Sequence, residues 1–215
     1  MYFARILFGG LIALVLSSGL ALAAQTTPDC SGFDPKADQP TQTWTKPMPG
    51  TCAAKTTTVD GVAYAIPDPA CTPGAVNPTL TLSILKRPAF RTACERNQAT
   101  SANAKNGTYD WYVIAHPANN TGANQICELD HLISIEIGGA DTLDNIWPQC
   151  GPAGVPLNDR FFKQKDLVEN YLADQVRAGK MALGDVQAGI ARDWTQYLKE
   201  AAKYYESHKK RNDGG

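Results

Sequence analysis

Residues 127–150 read CELDHLISIEIGGADTLDNIWPQC, and the architecture turns on this stretch. From Cys127 to Ile137, a two-residue period places Leu129, His131, Ile133, Ile135 and Ile137 on one face. Glu128, Asp130, Leu132, Ser134 and Glu136 fall on the other. Gly138-Gly139 supplies a turn, and Asn145-Ile146-Trp147-Pro148 supplies a second short strand that the proline ends. The expectation is a β-hairpin. Cys127 precedes its first strand and Cys150 follows its second, so they meet at the open end of an antiparallel pair. Cys127–Cys150 is therefore the first disulfide expected.

After the loop CGPAGVP, Asn158 or Asp159 is placed to cap a helix running to about Ala178. Its apolar residues Phe161, Phe162, Leu167, Val168, Tyr171, Leu172 and Val176 recur at helical spacing, and Gly179 stops it. A last helix is expected from near Leu183, with a polar, basic tail fraying from Tyr204. Trp147 and Trp194 read as core. Upstream, residues 25–73 are rich in Thr, Pro, Ala and Asp with no sustained apolar period, as in a loop-rich arm held by cysteines. A short strand fits Gly61–Ile66, and Thr79–Ile84 fits a strand or a helix start equally. Ala99–Gly107 reads as a polar linker and Trp111–Ala115 as a short buried strand. The chain divides into residues 1–24, a loop-rich portion 25–110, and a domain 111–215. The expected fold class is α+β, a hairpin-plus-helix core with an additional C-terminal helix.

Residues 1–24, MYFARILFGGLIALVLSSGLALAA, place Arg5 before an apolar run and end in Ala21-Leu22-Ala23, the pattern of a cleaved signal peptide. An uncleaved anchor is the alternative, but Gly9, Gly10 and Ser17-Ser18-Gly19 leave the run short of the ~20 apolar residues a membrane span needs. The protein is expected to be secreted or periplasmic, with no membrane association once the segment is removed. All six cysteines lie beyond it, and none is spaced C-x-x-C, so disulfides are expected before structural zinc. Proximity in the chain favours Cys30–Cys52 and Cys71–Cys94 for the remaining pairs.

The 215 residues carry a formal net charge of -1, which offers no bulk basic excess for nucleic acid. That average is uneven. Residues 116–157 contain no Lys or Arg and five acidic side chains, whereas residues 158–215 contain 11 basic and 9 acidic ones. An acidic hairpin can hold a cation while flanking lysines meet phosphate.

A His beside a carboxylate on the hairpin suits phosphodiester hydrolysis, which needs a base for water and a cation to offset developing charge. Neighbouring strand residues point to opposite faces, so Asp130 and His131 share a site only where the strand is irregular or another element closes over its edge. Other readings fit too. His131 can be a core histidine, Asp130 a salt-bridging carboxylate, and Lys163 and Lys165 an ordinary helix surface.

The string ELDHLISIEIGGADTLDNIWPQ resembles the core of the HNH endonucleases (His-Me finger, or ββα-metal), in particular an exported bacterial branch with a DHLIPLELGG…NLWPQ signature. The continuation KQKDLVENYLADQVRAGKMALGDVQAGIARDW resembles that branch's KD-x-x-E helix and final helix, so the likeness covers Glu128 to Trp194. It implies a ββα-metal core and an endonuclease acting on nucleic acid, DNA before RNA, with a divalent metal ion (Mg, Mn or Zn). It makes His131 the general base, Asp130 a metal ligand, and Asn145 the residue that holds the loop and His131 by hydrogen bonds. The third HNH position falls near Lys163, whose ammonium is no metal ligand. Asn158, Asp159 or Asp166 then stand in as ligands, or Lys163 and Lys165 contact phosphate, or turnover is lost and a binding or structural module remains. Ser134 stands where the branch has proline.

Overall fold

The computed structural model describes residue 30, residues 43–97 and residues 100–212. The expected signal segment lies outside these residues. In chain order the elements are β1 (Lys55–Val59), β2 (Val62–Ile66), α1 (Leu82–Leu85), α2 (Ala102–Trp111), β3 (Cys127–His131), β4 (Ile146–Cys150), α3 (Phe161–Arg177), α4 (Leu183–Arg192) and α5 (Leu198–Asn212). Strands β1–β2 and β3–β4 form separate two-stranded antiparallel sheets, so the fold is α+β.

The β3–β4 pair has the register Cys127↔Cys150 through His131↔Ile146, and the Cys127–Cys150 disulfide closes its open end. The strand ends at His131, however, and not at Ile137. Leu132, Ile133, Ile135 and Ile137 are all at most 3% exposed, so both parities of the alternation are buried. A strand with one wet face cannot do that. The chain instead coils through a short 3₁₀ turn at Ile135–Ile137, with Ser134 at its N-cap accepting from the Glu136 amide. Ser134 has φ -59°, a value proline also takes. The coil sends Leu132 against Trp111, Tyr112 and Trp147, and Ile135 against Leu80, Leu85 and Phe90. Ile133 and Ile137 enter the main core with Val168, Leu172, Ile190 and Trp194.

Buried Asn145 holds this coil. Its Oδ1 accepts from the Ile133 amide at 2.9 Å, and its Nδ2 donates to the Ile133 and Ala140 carbonyls at 2.9 and 2.8 Å. Gly139 lies so close beneath the coil that a Cβ would sit 1.8 Å from the Ile133 carbonyl oxygen.

Several sequence expectations are corrected. Ala99–Gly107 is not a linker, nor Trp111–Ala115 a strand. Residues 102–111 form α2, whose first turn is capped by the Ser101 hydroxyl accepting from the Ala104 amide. Polar Asn103, Asn106 and Gly107 hide its period, and Trp111 and Tyr112 are buried by packing at its end. Residues 110 and 111 are thus neighbours within one helix. Neither Asn158 nor Asp159 caps α3. They sit in a 3₁₀ turn, and Arg160 takes the N-cap position with its guanidinium donating to the Gln125, Ala123 and Val155 carbonyls. The tail is helical to Asn212, because the Tyr204 ring packs on Tyr171 and its hydroxyl donates to Asp174.

The other disulfides are Cys30–Cys94 and Cys52–Cys71, not Cys30–Cys52 and Cys71–Cys94. The reason is the β1–β2 hairpin, whose Asp60-Gly61 loop has φ of 51° and 81°, the two positive values of a type I′ turn. Cys52 precedes β1 and Cys71 follows β2, so the open end of that hairpin brings them together. Gly61–Ile66 does contain the expected strand, and Thr79–Ile84 resolves as a turn leading into α1. Trp147 and Trp194 are both buried, in different clusters.

Gly139→Ala should destabilise the fold by about 2 kcal/mol or more, since backbone must move to admit the methyl group. Gly107→Ala, in the interior of α2 with nothing within 4 Å of its would-be Cβ, should stabilise it by roughly 0.5–1 kcal/mol. Urea unfolding of the two variants measures both, and a mild effect at Gly139 would show that the coil is not packed as described.

Candidate active site

A cleft of about 310 Å³ opens between β3, the coil after it and α3, with Thr92 and Arg96 on its rim. Asp130 and His131 both line it. They can do so because His131 is the last strand residue and the chain turns away after it, with the Leu132 amide bonded to the Asn145 carbonyl at 2.8 Å.

His131 Nε2 lies 2.8 Å from Asp141 Oδ1, on the loop between the hairpin strands. Asp141 is only 1% exposed and is held from several sides. Lys105 Nζ on α2 donates to Oδ1 at 2.7 Å, and the Asn97 amide donates to Oδ2 at 2.8 Å. Burial pushes the Asp141 carboxyl up, but the hydrogen bonds from His131 and Lys105 overcome it and bring the pKa to about 2. Asp141 is therefore an anion, and the imidazole donates to it through Nε2–H. That leaves Nδ1 as the basic nitrogen. The arrangement is the carboxylate–imidazole pair that fixes a tautomer and steadies the imidazolium formed when a base takes a proton.

Burial lowers the His131 pKa, Arg96 lowers it further, and Asp141 and Asp130 partly restore it. Arg96 Nη1 sits 3.4 Å from His131 Nε2 and 3.8 Å from Asp141 Oδ1, with its side chain 53% exposed. Among the described residues, it is the one Lys or Arg that lines the cleft.

On the other side, Asp130 is 6% exposed and its Oδ2 accepts from Lys165 Nζ at 2.8 Å and Trp147 Nε1 at 3.3 Å. Lys165 has no exposed side-chain surface. Its ammonium also donates to the His131 carbonyl at 2.7 Å and to Glu169 Oε1. Burial alone would lower the Lys165 pKa, but Asp130 and Glu169 outweigh it and raise it, so the ammonium stays charged. Burial raises Glu169, with Asp130 adding repulsion and Lys165 opposing both. Glu128 is likewise raised, by burial and then by Asp130 and Asp166.

The remaining candidates divide. Asp166 lines the cleft and is bridged by Lys163 at 2.7 Å, an ion pair whose side chains are each 34% exposed. Lys163 does not face Asp130; Lys165, two residues on, does. Lys165 is thus neither on the helix surface nor within reach of a phosphate. Asn158 and Asp159 line a different concavity with Tyr64 and Leu198, and so are not brought to His131. Asn145 contacts the coil backbone and not the imidazole.

Sequence reading missed Asp141, Arg96 and Lys105 as site residues. Asp141 follows a glycine pair with no periodicity to single it out, and the other two arrive from 35 and 26 residues upstream of His131. Glu169 had a local signal, its i,i+4 spacing from Lys165.

The donor set does not suit the divalent ion implied by the HNH resemblance. Asp130 Oδ2 is already engaged by an ammonium and an indole, and among the described residues no three His, Cys, Asp or Glu side chains are grouped to hold a metal. No known family, curated protein or solved structure matches the chain.

In NMR titration, the His131 imidazole should have its midpoint below the ordinary value of 6.5, so that it is neutral and able to accept a proton at neutral pH. Asp141→Asn removes a charge that favours imidazolium and should lower the midpoint further. A midpoint at or above 6.5 in the unaltered protein would contradict the geometry.

Proposed function

We propose that this protein hydrolyses phosphodiester bonds in nucleic acid, DNA before RNA, outside the cytoplasm, on an HNH-like ββα scaffold. The observation that carries this reading is the buried Asp141 carboxylate fixing His131 at the floor of a cleft whose rim presents Arg96. The β3–β4 hairpin followed by α3, with His131 at the end of the first strand, agrees with the order of elements in the HNH resemblance. Three disulfides are compatible with an oxidising compartment, and no described helix is long and apolar enough to cross a membrane.

In this reaction a water in the cleft attacks phosphorus as His131 Nδ1 takes its proton. The new bond joins the water oxygen to phosphorus, and the bond to the leaving ester oxygen breaks. That oxygen gains a proton from solvent or from the imidazolium. Asp141 steadies the imidazolium, and Arg96 offsets charge on the phosphoryl oxygens. The cleft itself is acidic, so affinity for a polyanion must come from Arg96 and from basic residues outside it, with modest salt dependence.

A second reading, a binding or structural module without turnover, is favoured by the Lys165 ammonium engaging Asp130. Plasmid and RNA incubations with purified, disulfide-intact protein separate the two. Hydrolysis should occur, and His131→Ala should reduce it by about 10²–10⁴-fold. Cleavage that persists in His131→Ala refutes the mechanism, whereas retention of nucleic acid without cleavage supports the module.

A further inference from the structure

Resting on the phosphodiesterase reading, we propose that Lys165 is the resident counter-cation of the cleft and that Arg96 recognises the substrate phosphate without a bridging divalent ion.

Lys165 reaches from α3 to β3 and spends its three N–H donors on Asp130 Oδ2, Glu169 Oε1 and the His131 carbonyl. An ammonium so bound is saturated and has no exposed surface, so it does not exchange with solvent ions. It neutralises the Asp130 carboxylate, which a divalent ion would otherwise neutralise, while burial holds the Glu169 carboxyl well above the usual carboxylate range. A hard cation needs several oxygen ligands, and here Asp130 Oδ2 and Glu169 Oε1 are both engaged. An ion at the remaining oxygens would sit within a few ångströms of a fixed positive charge, with little low-dielectric screening between them.

The same ammonium makes a metal-free reaction reasonable. With Asp130 and Glu169 compensated, a phosphate in the cleft is not opposed by their full charge. Arg96 then supplies the accessible cation, and its planar guanidinium suits two phosphoryl oxygens at once. Its position is set by its neighbours. Cys94, two residues before Arg96, is tied to Cys30, and the Asn97 amide just after it donates to Asp141 Oδ2 at 2.8 Å, so the chain is anchored on both sides of Arg96. Lys165 is a positioning residue, since it touches neither water nor phosphate. Arg96 is the catalytic one.

The test uses disulfide-intact protein stripped of metal by chelation. Mn²⁺ titration followed by electron paramagnetic resonance should give the same curve for the unaltered chain and for Asp130→Asn. Hydrolysis of DNA should continue unchanged in excess EDTA. Arg96→Ala should lower the rate by about 10²-fold, with partial recovery in Arg96→Lys. In Lys165→Met, Asp130 and Glu169 lose their partner, and a Mn²⁺ site sensitive to Asp130→Asn should appear. If that variant does not fold, the comparison of the unaltered chain with Asp130→Asn still decides. Stoichiometric Mn²⁺ uptake by the unaltered chain that Asp130→Asn abolishes overturns the proposal. So does hydrolysis that stops in EDTA and returns with Mg²⁺. Absence of hydrolysis under every condition defeats the phosphodiesterase reading instead, and the Mn²⁺ curves then judge the role of Lys165 alone.

Discussion

The structure hangs on a buried ammonium. Lys165 joins the second turn of α3, the longest described helix, to the end of β3, through the Asp130 and Glu169 carboxyl groups and one main-chain carbonyl. Removing either charge type from such a network leaves the other stranded in a medium that cannot solvate it, a loss typically of about 3–5 kcal/mol. Without that ammonium, Asp130 and Glu169 could lie this close inside the protein only with a proton on one of them. The contact also fixes geometry. By gripping the His131 carbonyl, Lys165 sets where β3 ends and leaves the imidazole to be oriented independently by Asp141. The His131 main chain is thus held by Lys165 and its side chain by Asp141.

The surroundings of His131 are assembled from parts remote in sequence. The hairpin contributes Asp130 and His131, and its connecting loop contributes Asp141. The segment before α2 contributes Arg96, and α2 contributes Lys105. The portion that composition marks as loop-rich is therefore no appendage to the hairpin and helix. It supplies cations to a region, residues 116–157, that has no Lys or Arg of its own.

This division explains what could be read from sequence. The β3–β4 pairing and its disulfide were legible because a two-residue period and flanking cysteines are local signals. The α3 helix was legible from its apolar stripe. The first hairpin escaped because Lys55–Val59 is a threonine-rich, exposed strand with almost no apolar alternation, although its Asp-Gly turn was present. Recognising it would have paired Cys52 with Cys71 by the reasoning that paired Cys127 with Cys150. Helix α2 escaped because its asparagines and glycine are poor helix formers that only packing overrides. The alternation from Cys127 to Ile137 was real in the letters but misleading beyond His131, where burial is set by three neighbours and not by one sheet face. His131 itself stood out, but its partner could not, since the Asp141 contact depends on how the coil folds back.

That coil has a thermodynamic consequence. Within six residues, Leu132, Ile133, Ile135 and Ile137 enter three separate hydrophobic clusters. None of the three can come apart without pulling on a segment whose other side chains anchor its neighbours. The wall of the cleft thus couples the three into one melting unit, and local opening there approaches the cost of global unfolding. The segment that follows His131 is in this way held by all three clusters, and it fixes one wall of the cleft.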